Sequence, residues 1–310
     1  MTNTALVMQG RDWLILVGLS LLWGGSFFFN EITLLDFSPI TVVWLRVTIA
    51  AFCLWSLVFI RKFRLPKTPA FWKAIILMGL VNNALPFTLI VWGQQEISSG
   101  LASILNATMP LFTVLVAGAL LSDERIKPSK IVGVLIGFAG VTAMIGPQYL
   151  KGLGESVVAQ VAVLGAALCY ALATVFGRRF REMQIQPIVI AAAQVTMASL
   201  WLLPACLLGD NFSELAGAGN NAWLAVIALG MFSTALAYVG YFHLLSSSGA
   251  TNLSLVTFLV PISAILLGWL FLGEQLKLIH YLGMLCIFAG LAAIDGRPLK
   301  IFLKQKEKTL

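Results

Sequence analysis

The chain has 310 residues, of which 59% are hydrophobic and 11% charged, with a formal net charge of +7 and a mean hydropathy of +0.93. In water such a chain would expose far more apolar surface than soluble proteins carry, so composition excludes a soluble enzyme or binding module. Its solvent is a bilayer, and its function must reside among membrane helices.

Taken in chain order, apolar stretches able to cross a ~30 Å hydrocarbon core fall at about 13–33, 40–60, 72–94, 99–121, 129–146, 157–177, 187–208, 222–245, 250–271 and 278–294. These ten spans predict an all-α integral membrane protein, with connections too short to hold a separate soluble domain. Trp13, Trp72 and Trp223 sit near span ends, as interfacial belt residues do. Span 1 has no small-residue cleavage site after it and is expected to be retained.

Basic residues orient the spans. With the N-terminus in the cytoplasm, the inner side holds Arg11, then Arg61, Lys62, Arg64, Lys67 and Lys73, then Arg125, Lys127 and Lys130, then Arg178, Arg179 and Arg181, then Arg297, Lys300, Lys304, Lys306 and Lys308. These are seventeen of the twenty basic residues; Lys151 and Lys277 fall outside and Arg46 lies within span 2. The expectation is a multi-pass protein of a bacterial inner membrane with both termini cytoplasmic. The positive charge serves topology against anionic lipid, and no aromatic-interleaved basic surface points to nucleic acid.

A diverged repeat divides the chain. Glu124, Lys127, Gly133, Phe138, Ala139 and Gly140 recur 150 residues later as Glu274, Lys277, Gly283, Phe288, Ala289 and Gly290, while Pro110 and Pro261 are 151 apart. Five spans per copy is an odd number, so the second copy enters from the opposite face, and the loop charges swap sides accordingly. The reading is two inverted-topology halves, 1–150 and 151–310, a plan transporters use to build a pathway around a pseudo-symmetric centre.

Together these residues carry a family likeness. Trp23-Gly24, Pro39 with Arg46, Ser99-Gly100 and the Pro110, Glu124, Gly133, Gly140 series resemble the EamA-type half of the drug/metabolite transporter superfamily. The series returns from Ser248-Gly249 through Pro261, Glu274, Gly283 and Gly290, but Tyr170-Ala171 replaces Trp-Gly and Gln194 replaces the arginine. The resemblance implies a ten-helix exporter with a cavity between its halves, most similar to bacterial amino acid exporters, aromatic ones included.

Chemistry nominates the residues of such a cavity. A proline within a helix leaves the carbonyl four residues earlier without its donor, and in lipid that group must face protein, water or ligand. Pro86, Pro110 and Pro261 do this to Asn82, Asn106 and Thr257, so helix-breaking or gating positions coincide with polar side chains. Asn82, Asn83 and Asn106 are candidates to bind substrate or, alternatively, to glue helices together. Gly230, Thr234, Tyr238 and Tyr241 share a face of span 8, and Trp23 and Phe27 share one on span 1; Trp23, Phe27, Tyr238 and Tyr241 could stack on a flat ligand.

Arg46, the intramembrane charge, lies roughly 9 Å inside the outer end of span 2. It could receive a substrate carboxylate or pair with Glu31 or Asp36. The midplane otherwise lacks charge, which favours a neutral or zwitterionic solute, an amino acid foremost, over a nucleotide sugar or an organic cation. A multidrug or a nucleoside or purine exporter is the alternative substrate reading. Gly133, Gly137 and Gly140 form a small-residue face for helix packing. Glu124 and Glu274 stand before spans 5 and 10, where a carboxylate caps a helix.

An enzyme is the competing class. No His-Glu-x-x-His motif or phosphate loop occurs, only His243 and His280 could act as imidazole bases, and Cys53, Cys169, Cys206 and Cys286 lie within spans without metal-ligand spacing. No cofactor or metal is expected. The partners are a small-molecule substrate and lipid, with the oligomeric state left open.

Overall fold

The structure is a computed structural model in which residues 8–121, 128–145, 155–209 and 212–295 are described. Among them ten main helices follow the chain. The first five are α1 Gly10–Thr33, α2 Pro39–Ile60, α3 Pro69–Gly93, α4 Ser99–Leu120 and α5 Pro128–Ile145. The second five are α6 Glu155–Glu182, α7 Pro187–Leu208, α8 Asn220–Ser247, α9 Val256–Leu272 and α10 Leu278–Asp295. Seven of them, α1 to α4 and α6 to α8, are long and apolar enough to cross a membrane. The other three contain shorter apolar helices, Lys130–Ala143, Val256–Leu272 and Leu278–Ile294, and the turn of helix Gly249–Leu253 leads into α9.

Local chemistry sets the helix ends. Pro39, Pro69 and Pro187 open α2, α3 and α7, where the missing N–H costs nothing. Gly273, in the left-handed region at φ 66°, closes α9. Large apolar side chains such as Phe52, Leu135 and Trp269 point outward and exposed, as they do where the surrounding solvent is lipid tail.

Helix contacts exchange between the halves. α1 packs on α9 and α4 on α6; α2 packs on α7; α3 packs on α6 and α7 while α8 packs on α1 and α2; α5 packs on α10. Numbering each half from one to five, every such pair maps onto another pair, or onto itself, when the halves are swapped. The α5–α10 contact is a backbone approach: a methyl group at Gly133 would stand 2.5 Å from the carbonyl oxygen of Gly290, and one at Gly140 would stand 2.7 Å from that of Gly283. The glycine face therefore lets two helices meet at a distance that any side chain would prevent.

Local breaks mark α3, α4 and α8, and two expectations change, those for Pro261 and for the helix that Glu274 caps. α3 and α8 are not uniform helices, since a π-helical turn interrupts each, at Leu80–Ala84 and Met231–Leu236. α4 breaks after Asn106 and restarts at Met109, with Pro110 in its new first turn, whereas Pro261 sits inside an unbroken α9. Glu274 caps a helix, but not α10: its carboxylate accepts from the backbone N–H of Ser99 at 2.8 Å and of Gly100 at 3.1 Å, at the start of α4 in the other half. Its repeat partner Glu124, with Arg125, Lys127, Lys151 and residues 296–310, lies outside the described residues.

Candidate functional site

A cavity of about 940 Å³ lies in the bundle, walled by side chains of both halves. Trp23, Phe27, Arg46, Asn82, Asn106, Tyr238, Tyr241 and Thr257 all line it. Asn83 does not: it is fully buried behind the wall, and its amide Nδ2 donates to the Tyr238 hydroxyl at 3.0 Å. Pro86, Pro110 and Pro261 also stand behind the lining, beside residues that belong to it.

The two π turns shape this wall. Each supplies polar lining residues, Asn82 from α3 and Ser233 with Thr234 from α8, in keeping with the frequent use of π turns at functional sites. The Thr234 hydroxyl donates to the carbonyl of Leu229, five residues earlier, at 2.8 Å. Gly230 is a packing residue here, since a methyl group on it would meet Ile49 Cβ at 2.6 Å.

Arg46 is 5% exposed. Its Nε donates to Thr234 Oγ1 at 2.9 Å, and its guanidinium lies 4.0 Å from the centre of the Phe87 ring. No carboxylate among the described residues pairs with it. The expected partners are occupied elsewhere: Glu31 accepts from Gln94 Nε2 at 2.9 Å, and Asp36 accepts from the backbone N–H of Gly219 at 2.9 Å. The intramembrane charge read from the sequence is therefore a buried cation in the cavity wall. The cavity's described lining includes Arg46 and Arg178 but neither Asp nor Glu.

Two further lining residues, Tyr170 and Gln194, escaped nomination as binding residues. The sequence did mark them: they occupy the positions of Trp23 and Arg46 in the second half, and a pseudo-symmetric centre draws on both copies. Gln194 Oε1 accepts from Asn82 Nδ2 at 3.4 Å, joining α7 to α3 across the wall. Trp23 and Tyr241 meet with ring centres 5.8 Å apart, and Asn106 Oδ1 is buried without a partner among the described residues.

The cavity is asymmetric along the bundle. At one end, formed by the α1–α2, α3–α4 and α9–α10 connections, the lining stops at Phe27 and Asn30. Buried Gln94 plugs that end: its Oε1 accepts from Asn30 Nδ2 at 2.7 Å, and its Nε2 donates to the Phe27 carbonyl and to Glu31, both at 2.9 Å. Nothing in the sequence singles out Gln94, which is one polar residue near a span end. Toward the other end the lining runs on through Gly177, Arg178, Ile185 and Pro187 to Gly249.

A family model, the EamA-like transporter family, matches residues 12–146 and again 158–294. The chain belongs to the EamA-like transporter family. It is 26% identical over 277 residues to the uncharacterized transporter YoaV of Bacillus subtilis, covering 89% of this chain and 94% of that protein. It is 28% identical over 284 residues to an uncharacterized transporter of Archaeoglobus fulgidus, covering 91% and 97%. It is 24% identical over 289 residues to the uncharacterized inner membrane transporter YedA of Escherichia coli, covering 92% and 90%. A crystal structure aligns with a TM-score of 0.65 at 20% identity, covering 93% of this chain and 98% of that one, so the fold is shared. This EamA-like protein is a multi-pass membrane transporter, and the names of its family and relatives indicate transport and not catalysis.

Proposed function

We propose that this EamA-like transporter exports amino acids, neutral or aromatic in their side chains, across a bacterial inner membrane by alternating access between two inverted five-helix halves. The observation that carries the reading is the cavity itself, about 940 Å³ in volume and walled by aromatic rings, amides and one buried guanidinium. Trp23, Phe27, Tyr238 and Tyr241 offer faces to a flat side chain. Asn82, Asn106 and Thr257 supply donors and acceptors, Asn83 holds Tyr238 in place, and the breaks near Pro86 and Pro110 and the turn before Pro261 give the halves places to bend.

The basic residues favour a cytoplasmic location for both termini. On that orientation the end of the cavity near Arg178 and Gly249 faces the cytoplasm, and the Gln94 plug lies on the outer side. Substrate would load from inside and leave when the plug opens. A cationic drug would find no acidic counter-charge in the described lining, which disfavours the multidrug alternative.

The test is uptake into proteoliposomes of labelled phenylalanine, tryptophan, glutamate, lysine, a nucleoside and a cationic dye, with and without a pH gradient. Phenylalanine and tryptophan should move fastest and inhibit each other. Dye movement without amino acid movement would overturn the proposal.

A further inference from the structure

Arg46 is built as a seat for an anion, and no described residue of the protein fills it. A guanidinium carries five N–H donors and stays charged under all ordinary conditions. Here Nε is spent on Thr234 at 2.9 Å, and no acceptor among the described residues meets the two terminal NH₂ groups. Thr234 holds that geometry because its single hydroxyl proton already goes to Leu229, leaving only lone pairs for the arginine. Phe87 covers one face of the guanidinium plane at 4.0 Å. The guanidinium is thus held in place at the wall of the cavity that Arg46 lines, with its terminal donors left over for a ligand.

A buried cation without a counter-ion is costly, and proteins tolerate that cost where a ligand relieves it. The repeat limits how much anion the site can take. Its counterpart Gln194 is neutral, so this pseudo-symmetric pair supplies a single cation. That suits one carboxylate, which accepts two parallel hydrogen bonds from an arginine fork, and does not suit a diphosphate.

We infer that Arg46 is the specificity-determining residue of the cavity and that it binds the carboxylate of the transported solute, so that substrates must carry a free carboxylate. The inference rests on the proposed transport through the same cavity and deepens it, since it names the group of the substrate that the cavity recognises.

Competition decides the point on the unmodified protein. Phenylalanine uptake into proteoliposomes is measured against 3-phenylpropionate, phenylalanine methyl ester and phenethylamine. The acid should compete, while the ester and the amine should be weaker than phenylalanine by about 10-fold or more, as expected for a lost charged hydrogen-bonded pair. Arg46→Gln should raise the KM for phenylalanine by a similar factor and abolish the difference between acid and ester; Arg46→Lys should restore part of it. An ester that competes as well as phenylalanine, or an Arg46→Gln protein that still prefers acids, would overturn the inference.

A thermal-stability assay separates this from failure of the transport reading. Stabilisation of purified protein by 3-phenylpropionate, lost in Arg46→Gln, would support the carboxylate seat even if no amino acid were transported. Equal stabilisation of both proteins, or of neither, would contradict it.

Discussion

Replacing Glu274 by Gln should open the Gln94 end of the transporter, which faces outward in the proposed orientation, more often. The carboxylate spans the halves, taking the Ser99 and Gly100 N–H groups at 2.8 and 3.1 Å from the connection between α9 and α10. Hydrogen bonds to charged groups contribute roughly 1.5–3 kcal/mol each. Gln keeps one acceptor oxygen, presents an NH₂ where the second stood, and loses the charge that favours a helix N-terminus. Because the side chain is only half-buried, solvent screening reduces the net loss to about 1–2 kcal/mol. If the latch forms only when that end is closed, the outward-open population rises by roughly 5- to 30-fold. The assay uses Ser26→Cys, a near-isosteric change at the cavity wall, in a protein whose four native cysteines are replaced. Its labelling by a membrane-impermeant maleimide applied from outside should accelerate by that factor in Glu274→Gln. An unchanged labelling rate in folded protein would refute the latch and leave Glu274 a static helix cap.

Asn82→Ala or Asn106→Ala should lower transport several-fold while the amount of folded protein in the membrane stays nearly constant; lost protein with normal activity per molecule would make both amides structural. Gly133→Val should destabilise the protein by roughly 1–3 kcal/mol through overpacking, because its Cβ would stand 2.5 Å from the Gly290 carbonyl. Thermal unfolding in detergent checks this, and an unchanged transition would contradict the backbone approach of α5 and α10. Reporter fusions at Leu310 should report the cytoplasm, and an external C-terminus would sink the orientation on which the export direction depends.

The helices were legible because lipid imposes a simple rule: long apolar runs, interrupted where the chain turns in the polar interface. The expected spans and the observed helices agree to within a few residues over most of the chain, with α6 running on to Glu182. Periodicity could not show the π turns at Leu80–Ala84 and Met231–Leu236, since one extra residue per turn leaves composition unchanged. Arg46 was visible as an intramembrane charge, but its partners were not. Glu31 and Asp36 lie near it in hydropathy depth, yet Gln94 and Gly219 claim them laterally, and depth carries no lateral information. Tyr170 and Gln194 were recognised as positions of the repeat but not as cavity wall, because their departure from Trp and Arg obscured the role that symmetry assigns them.

The most direct test of the central claim is a structure of the protein with phenylalanine bound at saturating concentration. Ligand is expected in the cavity, its carboxylate within hydrogen-bond distance of the Arg46 terminal nitrogens and its ring against the Trp23–Tyr241 pair. Ligand seated on the lipid-facing surface, or in the cavity with its ammonium end toward Arg46, would contradict it.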